Sequence, residues 1–500
     1  MRILYIDIDS LRPDHLGCYG YTRPTSPVID AVAAQGVRFT NYFTSDSPCV
    51  PSRAALFSAR PGIQSGVTAH ENTPVASTLR YSNVERSGGA PMLMHHLAAA
   101  GYHTTSISSF ADRHLAGWFH FGFREFILDS LKGGNEDADE VNAVALPWLT
   151  RHAAEDNWFL HLNYWDPHTL YTEPTSYMKE MATYSAPAWP DEATIGVQQQ
   201  LVGIRTPRSL WALHPHEGFG KSRVPTMPDQ IADRQDFELL ISGYDGAIRY
   251  LDEHLAAVLE TLEQQGVLDD TALLISADHG EAFGELGQYM EHGAATPATH
   301  RIPLIVRWPG ITDEVAGSVR EELLLNLDFS PTVSEALGLE IPPGWAGKSF
   351  LPLLRGQTQS APREQIVMSH GLHTRQRALF DGRFYFLRTY HPSYYLYEPY
   401  MLFDLVNDPY LTRDLAPEMP ERTRMMADQL LAWEQAQVSA TGLSDTLRDL
   451  QGPPVIVGTP QAYTERLRGE GRAEEATRLE AQWARLESEY APELLVLPNL

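Results

Sequence analysis

The run Ser47-Pro48-Cys49-Val50-Pro51-Ser52-Arg53 precedes the helix-compatible stretch 54–59. A cysteine just before a helix start lies at the positive end of the helix dipole, beside free backbone N–H groups that favour a thiolate or a bound anion. Arg53 adds a fixed cationic fork. The bland alternative for any single cysteine is a small buried residue. Two other places offer ligands. Asp9 stands where the apolar run 3–8 ends, and in an α/β sheet ligands collect at the carboxyl ends of strands, so this carboxylate is placed to hold a metal unless it only caps a helix. Ser276-Ala277-Asp278-His279-Gly280-Glu281 ends a second strand-like run and supplies an oxygen and an imidazole side by side. Oxygen-only sites suit calcium or magnesium, whereas an imidazole tilts the choice toward manganese or another transition ion.

The elements that must carry these residues alternate. Residues 3–8, 102–107, 158–164 and 271–277 read as strands, and 26–36, 92–101 and 236–266 as helices, the last from apolar residues at helical spacing such as Leu240, Tyr244, Leu251 and Leu255. This is the pattern of an α/β fold with a mostly parallel sheet flanked by helices. Residues 170–230 are rich in Pro, Tyr and Trp without a sustained period and read as a surface excursion able to carry substrate contacts. After a helix at 327–337 and a linker at 356–362, residues 365–369, 377–380, 384–390 and 400–405 predict a small antiparallel sheet, followed by a helix at 418–438. Leu479, Trp483, Leu486 and Tyr490 mark a last amphipathic helix, expected to pack on the body or on a neighbouring subunit of a homo-oligomer. The expected units are 1–360, 361–450 and a helical tail, 451–500.

Among 500 residues, 43% are hydrophobic and 20% charged, which fits a chain folded nearly throughout. The net charge of −26 repels nucleic acid and anionic membranes. Only Cys18 and Cys49 are present, so there is no disulfide framework, and a reducing compartment is expected. With neither a basic apolar leader nor a span of about 18 apolar residues, the chain reads as cytoplasmic.

Cys49-Val50-Pro51-Ser52-Arg53 resembles the signature of the type I sulfatases at every fixed position. In that family a maturation enzyme oxidises the cysteine to formylglycine. The run from Asp7 to Gly20 is similar to the family's amino-terminal motif, which commonly carries two adjacent aspartates; here Ser10 holds the second place. Members similar to phosphonate monoester hydrolases also lack that second acid. The divalent ion therefore stays open between calcium and manganese, held by Asp9, Asp278, His279 and position 49. His168, in Asp166-Pro167-His168, resembles the family's Pro-His step, and His292 lies near where many members place a lysine. Asn72 matches an asparagine that contacts the transferred group. The family's Gly-Lys-Trp-His-Leu-Gly motif is missing, and Arg113 and His114, in the run Ser109 to Leu115, stand in for its lysine and histidine.

The resemblance covers about residues 1–415 and implies an alkaline-phosphatase-like fold with a smaller C-terminal antiparallel α+β unit. It implies hydrolysis of a small organic sulfate ester. One hydroxyl of the hydrated aldehyde at position 49 attacks sulfur and expels the alcohol, and the second collapses the adduct. Arg53 would orient the diol, while His168 and His292 would bind the oxyanion and assist the leaving group. Phosphonate monoester or phosphodiester hydrolysis with the same nucleophile is the first alternative, and a non-catalytic binding protein on the same fold the second. Arg208, Trp211, His214, His216 and the tyrosine-rich stretch 390–400 are the residues expected to meet a sugar, an aryl group or a lipid head.

Overall fold

The computed structural model describes residues 1–70, 91–127, 132, 134, 136–203, 205, 227–228, 230–357, 363–449 and 460–490, the last span without the side chains of 460 and 486–490. Its strands are β1 (Arg2–Ile8), β2 (Val37–Phe39), β3 (Tyr42–Phe43), β4 (Asp46–Ser47), β5 (His103–Ile107), β6 (Glu125–Ile127), β7 (Trp158–Tyr164), β8 (Thr271–Ala277) and β9 (Ala282–Phe283). They continue with β10 (Tyr289–Glu291), β11 (Leu304–Arg307), β12 (Ser318–Arg320), β13 (Leu324–Leu325), β14 (Ile366–His370), β15 (Arg375–Phe380), β16 (Phe384–His391) and β17 (Tyr400–Asp404).

Eight strands form one sheet in the order β12-β2-β11-β8-β1-β7-β5-β6. β1 lies parallel to both β7 and β8, whereas β11 runs antiparallel to β8 and β2. A strand at the centre of such a sheet is covered on both faces, which is why β1 reads Ile-Leu-Tyr-Ile almost without alternation. Because β1, β7 and β8 are parallel, their carboxyl ends share one edge, where Asp9 and Asp278 follow directly on their strands and Asp166 comes two residues after its own.

The helix Arg234–Gln264 lines one face through Phe237, Leu240, Tyr244, Leu251 and Leu255. Asp233 caps it by accepting from the Asp236 N–H. Two polar residues on its buried face have separate tasks. Asp252 accepts from the Val28 and Ile29 N–H groups at 2.9 Å, capping the helix Pro27–Ala34. The Tyr244 hydroxyl donates to the Ser10 carbonyl and accepts from the Arg12 N–H, which fastens the turn after Asp9. Among the described residues of the excursion at 170–230, two short helices form, Thr175–Met181 and Glu192–Gln198, the second capped by Asp191; they are too short to leave a periodic signal.

The second sheet has the order β17-β16-β15-β14-β4, antiparallel except for β4, which joins β14 in parallel. β4 belongs to the segment just before Cys49, so the amino-terminal unit completes the carboxyl-terminal sheet. The helix Pro420–Thr441 covers one face, with Met426 and Leu430 packed on Val367, Leu379, Phe386 and Leu402. Leu479 is buried in the cluster with Tyr394, Tyr463 and Leu467, and the Trp483 indole donates to the Ser393 carbonyl, so the tail helix packs on this chain's own body. No described helix is long and apolar enough to cross a membrane.

Arg377, on β15, is fully buried, and its fork meets both carboxylate oxygens of Asp445 and also Glu434 at 3.0 Å. Arg377→Lys keeps the charge but loses the paired geometry. It is expected to lower stability by about 1.5–3 kcal/mol, the worth of a hydrogen bond to a charged group. An unchanged midpoint in chemical denaturation would show that the fork contributes nothing.

Candidate active site

Cys49 is the first residue of the helix Cys49–Ser58, with Pro48 at the cap, so the thiol sits in the first turn and not just ahead of it. All ten residues of this helix are buried. The motif's serine ties the helix to the sheet edge: Ser52 Oγ donates to the Asp278 carbonyl at 2.6 Å, and Asn326 donates to the Ser52 carbonyl. One turn on, Arg53 reaches Asp7 and Asp278 at 2.7 Å and Asp9 at 3.2 Å, with its guanidinium over the Phe110 ring. Its Nη2 has no partner among the described residues.

Ligand atoms of Asp9, Cys49, Asp278 and His279 all lie within 4.8 Å of one another, and all four residues are buried. The His279 Nδ1 faces the Gly280 carbonyl at 2.8 Å, which places the proton there and turns the Nε2 lone pair to Cys49 Sγ at 3.1 Å. The Ser10 and His279 N–H groups both donate to Asp278 Oδ1. Ser10 adopts a φ of 58°, a left-handed conformation uncommon for a non-glycine residue, held by Tyr244.

Charge in this cluster is unbalanced. Burial works against ionisation of every carboxyl; for Asp9 the Arg53 guanidinium, together with His168, His279 and Arg113, outweighs it and the pKa falls, whereas for Asp278 burial, with repulsion from Asp9 and Asp7, pushes it well up. One guanidinium cannot hold three carboxylates ionised. Buried oxygens with a surplus of negative charge, next to an imidazole lone pair, fit a divalent cation.

Around this core stand the histidines. His168 and His292 are 5.8 Å apart between ring centres, and His292 lies 4.4 Å from His279. Arg113 stacks on Trp165 and donates to the Gly134 carbonyl. His114 lies 4.6 Å from His70, and both can bring a ring nitrogen within 4.8 Å of Cys49 Sγ. The sheet edge therefore gathers Asp9, Cys49, Arg53, Arg113, His114, His168, Asp278, His279 and His292 in one site. Asn72 lies outside the described residues, as do Arg208, Trp211, His214 and His216.

A sulfatase family model matches residues 2–339, well over half of the chain. The chain belongs to the sulfatase family. A second model, described as N-sulphoglucosamine sulphohydrolase, C-terminal, matches residues 285–436 of this sulfatase. Choline-sulfatase of Rhizobium meliloti (strain 1021) is 23% identical over 438 residues, covering 78% of this chain and 77% of its own. Iduronate 2-sulfatase of Mus musculus is 24% identical over 414 residues, covering 70% and 71%. The solved phosphonate monoester hydrolase of Agrobacterium radiobacter superposes with a TM-score of 0.67 at 20% identity, covering 87% of this chain and 95% of that one. The shared architecture is alkaline-phosphatase-like, and sulfate ester hydrolysis is the chemistry of the family to which this chain belongs.

In this sulfatase the position near the usual lysine is His292, whose Nδ1 faces Glu281 Oε1 at 3.5 Å, an ion pair longer than a hydrogen bond. Burial pulls both groups toward neutrality. For Glu281 it prevails and the carboxyl is raised; for His292, attraction to Glu281, Glu291 and Asp9 prevails and the imidazolium persists up to about pH 9. His168 is the opposite case: burial takes it down to about 4, and its Nδ1 is spent on the Thr169 carbonyl. The two histidines thus differ in charge, His292 cationic and His168 neutral.

A histidine pKa raised in the fold carries its contribution below the ordinary value near 6.5 and loses it as pH climbs through the raised value. Glu281→Gln is therefore expected to bring the alkaline limb of kcat/KM down by about one pH unit or more. A pH–rate profile on a sulfate ester with an unmoved limb would assign that limb to another group.

Sequence reasoning missed Asp7, Glu281, His70 and the pair His373–Glu291, 3.3 Å apart, through which the loop after β14 reaches the site. Asp7 had a signal, a carboxylate two residues before Asp9 on the same side of an otherwise apolar strand. The tyrosine-rich stretch needs correction: Tyr390, Tyr394, Tyr395 and Tyr397 are buried core residues, not a substrate surface, and only Tyr400 is exposed.

Proposed function

We propose that this protein hydrolyses a small organic sulfate ester to the alcohol and inorganic sulfate, with formylglycine formed from Cys49 as nucleophile. The observation that carries the reading is the placement of Cys49 in the first turn of a buried helix, inside the cluster of Asp9, Asp278 and His279 and one turn before Arg53. Asp9, Asp278, His279 and position 49 would hold one divalent ion, calcium or manganese, which supplies Lewis acidity toward an anionic ester. Once a formylglycine-generating enzyme has oxidised the thiol to an aldehyde and water has added to it, position 49 carries hydroxyls in place of the thiol. Arg53 orients that group and favours its ionised form through the donor it does not spend on carboxylates. His292 donates the proton to the leaving alkoxide, and His168 accepts a hydrogen bond from substrate. Arg113, on its Trp165 platform, adds positive charge at the mouth.

Two observations favour a second reading, phosphonate monoester or phosphodiester hydrolysis with the same nucleophile: Ser10 stands where sulfatases commonly carry a second aspartate, and His279 brings an imidazole into the shell. Transfer of a phosphoryl-type group needs the same charge neutralisation and in-line geometry.

Full-length protein co-expressed with a formylglycine-generating enzyme provides the test, by mass measurement of the tryptic peptide 39–53 and then a panel of sulfate, phosphonate and phosphodiester substrates. Conversion of the thiol to an aldehyde with sulfate turnover supports the proposal. Conversion with phosphonate or phosphodiester turnover alone moves it to the second reading. An intact thiol, while another sulfatase in the same cells is converted, leaves a binding role on the same fold.

A further inference from the structure

Beside the oxygen-rich cluster, Cys49 also has two imidazoles within reach. Ligand atoms of Cys49, His70 and His114 lie within 4.8 Å of one another, a second cluster that shares Cys49 with the oxygen-rich one. The His114 Nε2 is buried and has no hydrogen-bond partner among the described residues. Its ring is braced by Phe110 at 5.1 Å and Trp165 at 6.2 Å between centres. One sulfur and two imidazole nitrogens form a donor set for a borderline or soft ion, with a fourth position left to water or an anion.

We propose that the unconverted, thiol form of this protein holds a zinc ion through Cys49 Sγ, His70 and His114. Binding exchanges the S–H bond for a Zn–S bond and releases the proton to solvent; no electron moves. The site exists only while position 49 is a cysteine, so conversion to formylglycine abolishes it, and zinc bound there opposes conversion of the folded protein. This inference concerns the precursor and does not rest on the sulfatase reading of the mature site.

The test uses the full chain produced without a formylglycine-generating enzyme, stripped of metal and given sub-stoichiometric Zn²⁺, examined by X-ray absorption at the zinc edge. One sulfur at about 2.3 Å and imidazole nitrogens at about 2.0 Å are expected. Cys49→Ser should remove the sulfur shell. His114→Gln should weaken zinc binding by about tenfold or more, since even outer partners of a metal site are worth about 10–100-fold. Asp278→Asn should leave the sulfur and nitrogen shells in place. A sulfur-free, oxygen-dominated spectrum of the unaltered protein overturns the proposal without any variant. So does a sulfur shell that persists in Cys49→Ser, or one that survives His114→Gln and disappears in Asp278→Asn.

Discussion

Cys49→Ala, produced beside the formylglycine-generating enzyme, is expected to keep its fold and to lose sulfate-ester turnover by roughly 10³- to 10⁶-fold, the range seen when a catalytic nucleophile is removed. The side chain is 1% exposed and its Sγ touches one imidazole nitrogen, His279 Nε2 at 3.1 Å. Removing one small polar group at such a polar edge changes stability by about 1 kcal/mol or less. Activity and stability should therefore separate cleanly. Comparing kcat/KM with the thermal midpoint of the same preparations makes the check, and a variant within tenfold of the unaltered enzyme would move the nucleophile elsewhere.

Arg53→Met should damage both quantities. Removing the guanidinium leaves Asp7, Asp9 and Asp278 facing one another in a buried space. Breaking a buried ion pair from one side costs about 3–5 kcal/mol, because the charge left behind has no compensation. The loss should depend on pH. In the unaltered protein the Asp9 carboxyl lies below its ordinary value, so its contribution to stability is present above about pH 4 and fades as pH falls through the depressed value. In the variant the carboxyls are raised and become destabilising as pH rises. The gap between the two proteins in chemical denaturation should thus widen from acid toward neutral pH, while a pH-independent gap would point to lost packing over Phe110. On activity, loss of the donor to the nucleophile is expected to cost about 10²–10³-fold in kcat. Arg53→Lys should fall between, since it restores charge without the fork.

How far the sequence alone could go depended on whether a signal was local. Cys49, Arg53, Asp9, Asp278 and His279 declare themselves because each sits in a short motif at a strand or helix end, and parallel strands bring such ends together on one edge. β7 and β8 begin and end where their apolar runs do. Long-range pairings leave no such trace. Glu281 gains its meaning from His292 and from the Thr169 hydroxyl at 3.1 Å, neither of which is fixed by spacing. The tyrosines from Tyr390 to Tyr397 misled because an aromatic run reads alike whether it lines a cleft or fills a core; Tyr395 and Tyr397 stack at 4.8 Å among the buried residues around Tyr463 and Leu467. His373 was invisible for a further reason, since it enters from a different sheet.

The pairing of β4 with β14 also sets a clock. Ser47, two residues before Cys49, is joined to His370 by a hydrogen bond across 323 residues of chain. At a synthesis rate of about 5–20 residues per second, roughly 15–65 s pass between the emergence of these two segments from a ribosome. During that interval the stretch around Cys49 lacks the strand that finishes its neighbourhood and is an accessible peptide. Afterwards the cysteine is a buried residue of a folded site. Any enzyme that must handle this side chain is thus in a race with translation, and shortening or delaying the carboxyl-terminal unit would change how long the door stays open.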